Sequence, residues 1–262
     1  MTKLHYYFSI VTQLLRADFS LMKQGLPDKL INLAIYLGIS LFVPVYLLPS
    51  FGINQAFASF SFAGAIATAG LFEVFPGVTN LVSDFEGDNI TGYYLTLPIP
   101  SWLIFVRSII CWTLNGILLS IYSLPISRII VWNKIDLSQF HVGKFILIMI
   151  ITNIFYGAFA IWITSFVKNL LTIEHVWMRF VFPLWFLGGF QFTWYALKNL
   201  NAPIAYLDLL NPMIYIMEGT RAAMLGQSGY LPFWACIAFI SLCSILCAWH
   251  GIIRLKRRLD FV

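Results

Sequence analysis

Between Lys29 and Glu73 the chain runs for 43 residues without a formal charge. About 20 apolar residues suffice to cross a bilayer as one helix, so this run holds two. Pro49, Gly52 and Asn54 supply the turn between them. Further uncharged runs at 108–127, 145–167, 180–197 and 222–253 separate the remaining charges. Membrane barrels are built from short alternating segments, which these runs are not. The pattern predicts an all-α integral membrane chain with six transmembrane helices, near 30–49, 56–82, 101–127, 143–167, 177–196 and 231–253, in one domain over 1–262. Composition agrees, with 60% hydrophobic and 10% charged residues against roughly 45 to 50% and about 25% in soluble domains.

Lysine and arginine concentrate on the cytoplasmic side of membrane proteins. Placing both termini inside leaves Arg128, Lys134, Lys144, Lys198 and Arg221 outside and puts the other eleven of the 16 basic residues, Arg179 among them, inside. The net charge of +5 then reads as anchoring to the membrane surface, with no nucleic-acid partner. Residues 1–28 hold no apolar run of signal-peptide length. Leu4, Tyr7, Phe8, Val11, Leu14, Leu15, Phe19 and Met22 recur instead at helical spacing. They predict a cytoplasmic amphipathic helix, lying in the membrane interface or packed under the bundle.

The segment DFEGDNITGYYLTLPIP, residues 84–100, carries three acids and no base. Anionic headgroups repel such a loop, yet Ile90, Tyr93, Tyr94 and Leu97 form an apolar stripe on a short helix. Pro98 ends that helix and Pro100 opens the next. An acidic amphipathic helix in a short loop suits either docking on a protein or an ordinary interfacial position. Four cysteines, Cys111, Cys236, Cys243 and Cys247, match no metal spacing and read as small packing residues. His5, His141, His175 and His250 are scattered. No phosphate-loop, H-E-x-x-H or G-x-S-x-G motif occurs, so no catalytic and no metal-binding residue is assigned.

The stretch FEGDNITGYYLTLPIPSWLIFVRSI resembles the loop after the second helix in permease subunits of the ABC-2 family, the membrane subunits of exporter-type ATP-binding-cassette transporters. The matching positions are Glu86, Gly87 or Gly92, Leu95, and Leu97 with Pro98. In that family the segment is a coupling helix seated in a cleft of the ATPase. The resemblance therefore assigns ATPase coupling to Glu86, Gly87, Ile90, Tyr94, Leu95, Leu97 and Pro98 within 84–98. A second stretch, WYALKNLNAPIAYLDLLNPMIYIMEGTRAAMLG, is similar to the family's segment between helices five and six. It carries Trp194, Tyr195, Pro203, Tyr206, Asn211, Pro212, Tyr215, Glu218, Gly219 and Arg221. Short re-entrant helices over 197–230 would form the outer gate, with Tyr206, Asn211, Pro212, Tyr215, Glu218 and Arg221 as its residues. Physical chemistry is compatible: Asn211 suits an N-cap, Pro212 the first helical position, and Glu218 and Arg221 are i, i+3 neighbours. The resemblance implies a bacterial inner-membrane permease working as a dimer, a homodimer before a heterodimer. Separate ATPase subunits would use ATP and Mg²⁺, and the chain itself would bind no cofactor.

Glu73 falls inside the second helix, where a carboxylate is costly and faces protein or water. It is expected at the dimer interface or the cargo path, or at a bend near Pro76 and Gly77. Arg107, near a helix end, is expected to snorkel. An ion-coupled transporter would want several intramembrane carboxylates and repeated halves. A membrane-embedded lipid-processing enzyme would want clustered polar groups, for which Asp208, Glu218 and Arg221 are the candidates. Drug, lipid, polysaccharide and peptide cargo all remain open.

Overall fold

The computed structural model describes residues 3–52, 54, 56–87, 90–96, 98–132 and 134–259. Leu97, and the side chains of Leu4 and Phe8, lie outside the described residues. Every regular element among them is helical, and six helices are long and apolar enough to cross a membrane.

The first span begins earlier than the charge pattern predicts. Helix α1 runs unbroken over Lys3–Phe42, so the amphipathic segment and the membrane segment are one rod. Pro27 lies inside it, where it removes one backbone hydrogen bond without ending the helix. A π turn, Val43–Leu47, and a 3-10 turn, Leu48–Phe51, then lead to Gly52 at φ +82°. Leu33, Leu37, Leu41 and Val45 recur every fourth residue and are buried, while Ile31, Ile35 and Ile39 are exposed on another face. That division suits a helix with one side on the bundle and one on lipid.

The second span is broken. Helix α2, Ala56–Ala67, stops at Thr68, a 3-10 turn follows over Leu71–Glu73, and α3 continues over Val74–Glu86. Thr68 Oγ1 lies 3.1 Å from the Gly64 carbonyl, 3.0 Å from that of Ala65 and 2.6 Å from the Tyr36 hydroxyl. Such back-bonding competes with the regular ladder and bends helices. A Cβ on Gly70 would sit 2.1 Å from Asn153 Oδ1, and one on Gly116 would sit 2.2 Å from the same atom. Asn153 Nδ2 donates to Ser120 Oγ at 3.0 Å and to the Met149 carbonyl at 2.8 Å. Three spans therefore close on one amide, which small residues at membrane helix contacts permit.

A short helix, α4 over Ile90–Leu95, connects to α5, Ser101–Val131, the third span. Asp84 caps α4, accepting from the Ile90 and Thr91 amides at 2.7 and 2.8 Å. The fourth span, α6 over Val142–Thr164, packs against α5, α3 and α12, the last being Phe233–Leu259. Helix α12 passes the expected end at 253 because its basic tail reaches back to α6: Arg254 Nε donates to the Ser165 carbonyl at 3.2 Å and Arg258 Nη2 to that of Lys168 at 2.8 Å. Those carbonyls have no helical partner of their own.

The fifth span also starts early. Helix α7, Leu170–Val176, is followed by a π turn over Trp177–Val181, α8 over Phe182–Trp185 and a second π turn over Phe186–Phe190. Its start is fixed by Asn169, whose side chain accepts from the Thr172 amide while the Thr172 hydroxyl accepts from Asn169. This reciprocal cap sets the start seven residues ahead of the expected 177. The span ends at Gly188 and Gly189, the latter at φ +82°, a conformation that only glycine adopts readily. Three short helices then precede α12: α9 over Trp194–Leu200, α10 over Ala202–Asp208 and α11 over Pro212–Met224.

Gly116→Ala tests the close approach. A methyl there must displace Asn153, and overpacking of this kind costs about 1–3 kcal/mol. The thermal unfolding midpoint in detergent is expected to fall, and an unchanged midpoint would show that the three spans do not meet as described.

Candidate functional site

The segment between the fifth and sixth spans is held by three polar caps. Thr193, Asn201 and Asn211 accept from the Ala196, Ile204 and Met213 amides at 3.1, 3.3 and 3.0 Å, opening α9, α10 and α11. Pro203 and Pro212 occupy first-turn positions, where a missing amide hydrogen costs nothing. Asn211 has a second function, donating through Nδ2 to the Leu184 carbonyl at 2.8 Å and so tying α11 to the fifth span. Trp194 Nε1 donates to the Ala205 carbonyl at 2.8 Å, joining α9 to α10. The Tyr215 hydroxyl donates to the Leu209 carbonyl at 3.0 Å while its ring stacks on Phe239 of α12 at 4.0 Å. Tyr206 is exposed, its ring edge-on to Trp194 at 6.0 Å.

Glu218 and Arg221 lie at the centre of this segment, both fully buried, with Arg221 Nη1 3.8 Å from Glu218 Oε1. They are joined less to each other than to loose backbone. Arg221 Nη1 donates to the carbonyls of Gly189 at 2.7 Å and Phe192 at 3.3 Å, and Nη2 to that of Phe190 at 3.1 Å. Its guanidinium carbon lies 3.5 Å from the Phe60 ring centre, a stacked cation–π contact. Glu218 accepts from the Trp194 amide at 3.2 Å and the Leu231 amide at 3.0 Å. The cation thus answers the last carbonyls of the fifth span, and the anion answers the first amide of α9 and an amide just before α12. Each charge sits where the helix dipole favours it. Burial pushes the Glu218 carboxyl up, against the opposing effect of Arg221 and the two amides, and pushes Arg221 down to about 10.

Asp208 ends α10 beside Asn211, whose Nδ2 lies 3.4 Å from Oδ1. Burial raises its carboxyl to about 6. It borders a groove of about 530 Å³ between the fifth span and α9 and α10.

At the other end of the bundle, the residues of 84–98 form a joint. Glu86 is exposed and its Oε1 accepts from the Leu170 amide at 3.3 Å, linking α3 to the start of the fifth span. Gly87 closes α3, its amide donating to the Ser83 carbonyl at 2.9 Å. Ile90, Tyr93 and Pro98 are exposed, whereas Tyr94 and Leu95 are half-buried. Arg107 does not snorkel freely: its Nε donates to Asp18 Oδ2 at 2.7 Å, Nη2 pairs with Oδ1, and the guanidinium carbon stands 4.8 Å from the Tyr94 ring centre. One arginine therefore connects α1, α4 and α5.

Glu73 pairs with Lys29 of α1, and Lys29 Nζ also donates to Asn115 Oδ1 of α5 at 2.9 Å. Lys29 and Glu73 border a cavity of about 300 Å³ with Tyr36, Ala69 and Leu119. The bend lies at Thr68–Gly70, upstream of Pro76 and Gly77. Sequence reasoning missed Lys29 and Asp18 as partners because pairs 44 and 89 residues apart leave no local signal. It also placed Arg179 two residues from the start of its span, whereas the Asn169 and Thr172 cap puts it nine residues in. Among the described residues no three His, Cys, Asp or Glu side chains are grouped to hold a metal ion.

Replacing Arg221 by Met would leave three carbonyls unanswered and a buried carboxylate without its countercharge. A loss of about 3–5 kcal/mol is expected, and Arg221→Lys, lacking the fork, should recover only part of it. A midpoint for Arg221→Met equal to wild type would sink this account. Asp208 behaves oppositely. Because its folded value is raised above the usual 3.8, the protonated form is favoured and stability is lost as pH rises through about 6. Asp208→Asn should melt higher than wild type at pH 8, the gap closing as pH falls to about 4. A pH-independent gap would count against the burial of this carboxyl.

A search of curated proteins finds no match. A family profile described as ABC-2 type transporter matches residues 11–225, which takes in five of the six spans, α4 and all of α9–α11. That match covers most of the 262 residues, and the chain belongs to the ABC-2 type transporter family.

Proposed function

We propose that this chain is the permease subunit of an ATP-driven exporter, in which two copies enclose the translocation path and separate ATPase subunits dock on α4. The observation that carries this reading is the exposed edge of Ile90 and Tyr93 on a helix anchored from behind by Arg107 against Tyr94. An exposed apolar edge on a fixed helix serves a partner, and the family supplies its kind. Movement of the docked subunit would pass through Arg107 to α1 and α5, and through Glu86 to the fifth span. Nucleotide and Mg²⁺ belong to the partner. Segment 84–98, the chain ends and the basic tail of α12 face the cytoplasm in this reading, and the membrane is the bacterial plasma membrane.

Segment 197–230 then dips into the outer leaflet as the gate. Its buried polar centre at Glu218 and Arg221 supports that placement, since backbone inside a bilayer must be satisfied internally. Glu73 with Lys29 and Asn115 would lie beside the path, where two opposite charges can remain at membrane depth because they neutralise each other. Neutralisation of Glu73 also weakens the ion-coupled alternative, which needs a carboxylate free to exchange its ion.

Purification from native membranes in mild detergent tests the reading. Wild type is expected to bring a soluble ATPase and to hydrolyse ATP with it, whereas the chain alone hydrolyses none. Glu86→Lys and Tyr93→Asp should each lose the ATPase while eluting at the same size as the free chain. A folded wild-type sample with no ATPase would favour an ATP-independent transporter.

A further inference from the structure

We infer that the groove between the fifth span and helices α9 and α10 binds an amphiphilic anion, held at its charged end by Arg179. The inference starts from which charges inside the spans are answered. Glu73 faces Lys29, and Arg107 faces Asp18. Arg179 is exposed and, among the described residues, has neither a hydrogen-bond nor an ion-pair partner. It lies nine residues from Leu170 and eleven from Phe190, the two ends of its span. At about 1.5 Å per residue it is about 14 Å from the nearer end, whichever way the chain is oriented. An arginine side chain reaches little farther than one helical turn of about 5.4 Å, so it does not bring its charge to the surface from there. A bare cation at such depth does not face hydrocarbon; it faces an anion or a watery cavity.

The surroundings define the ligand. Arg179 borders the groove of about 530 Å³ that Leu184, Leu187, Leu207, Asp208 and Leu210 also line. That size is in the range of small-molecule sites, and the walls are mostly apolar with few polar groups. Asp208 lies where α10 and α11 meet, against Asn211, which bonds to Leu184 beyond Arg179 along the span. A carboxylate there repels a negative group, so the occupant's anion lies at Arg179 and its apolar body extends toward α10. A neutral apolar ligand would leave Arg179 unanswered, and a cation would be repelled by it. Calling the occupant cargo rests on the exporter reading; its binding does not.

The test uses the purified chain in non-ionic detergent, with decyl sulfate and decyltrimethylammonium as probes of equal tail and opposite charge, counted by native mass spectrometry. Wild type should bind about one decyl sulfate per chain, and Arg179→Gln should bind it about tenfold or more weakly. Arg179→Lys should keep most of the affinity, and Asp208→Asn, which removes the repelling carboxylate, should bind more tightly. Leu187→Trp fills the groove while leaving the arginine, and should abolish binding. Arg179→Gln binding as wild type does, undiminished binding in Leu187→Trp, or equal binding of the cation would each overturn the site. Should Arg179→Gln fail to fold, the Lys and Trp variants decide. A chain that binds decyl sulfate as stated yet brings no ATPase keeps this site and loses the exporter reading, and the converse loses the site alone.

Discussion

Within a bilayer, a backbone group released by a break in a helix has no water to turn to, and the protein must answer it. This fold breaks its helices repeatedly, and its buried charges are placed where the breaks fall. Arg221 takes the carbonyls at the end of the fifth span, and Glu218 takes the amide that opens α9 and another just ahead of α12. Without that pair, the carbonyls at 189, 190 and 192 and the amides of Trp194 and Leu231 lose these partners. The same logic recurs more weakly at the opposite end, where Arg254 and Arg258 occupy the last carbonyls after α6.

A second consequence concerns rigidity. Asn153 fills the places where side chains of Gly70 and Gly116 would stand, so the second, third and fourth spans share one close contact. Lys29 adds the first span through Glu73 and Asn115. Polar contacts hold the fifth span to the rest at its start, through Glu86, and between 184 and 190, through Asn211 and Arg221. The bundle thus consists of a tightly joined group and one span tethered at two points.

Much of this was legible in the sequence, for physical reasons. Charge-free runs find membrane helices because burying an unpaired charge in hydrocarbon is costly, and all six spans follow from them. Asn211 with Pro212 announced α11, since capping is local chemistry. The boundaries failed where charge and capping disagree. Glu174 hid the start of the fifth span, which Asn169 sets, and the basic tail hid the last turns of α12. The second span's break at Thr68 was hidden because a hydroxyl bonding back to its own helix looks like any other threonine. At the site, Glu218 and Arg221 were recognised as neighbours, but their partners at 189–194 and at 231 depend on tertiary packing. The partners of Arg107 and Glu73 were invisible for the same reason.

The π turn over Trp177–Val181 carries a last implication. It encloses one residue more than an α turn, so the helix before it and the helix after it do not share one register. One residue of offset turns a helix face by about 100°. The bearing of Arg179, which lies within that turn, is therefore set by the π turn itself and not by the helical register at either end of the span.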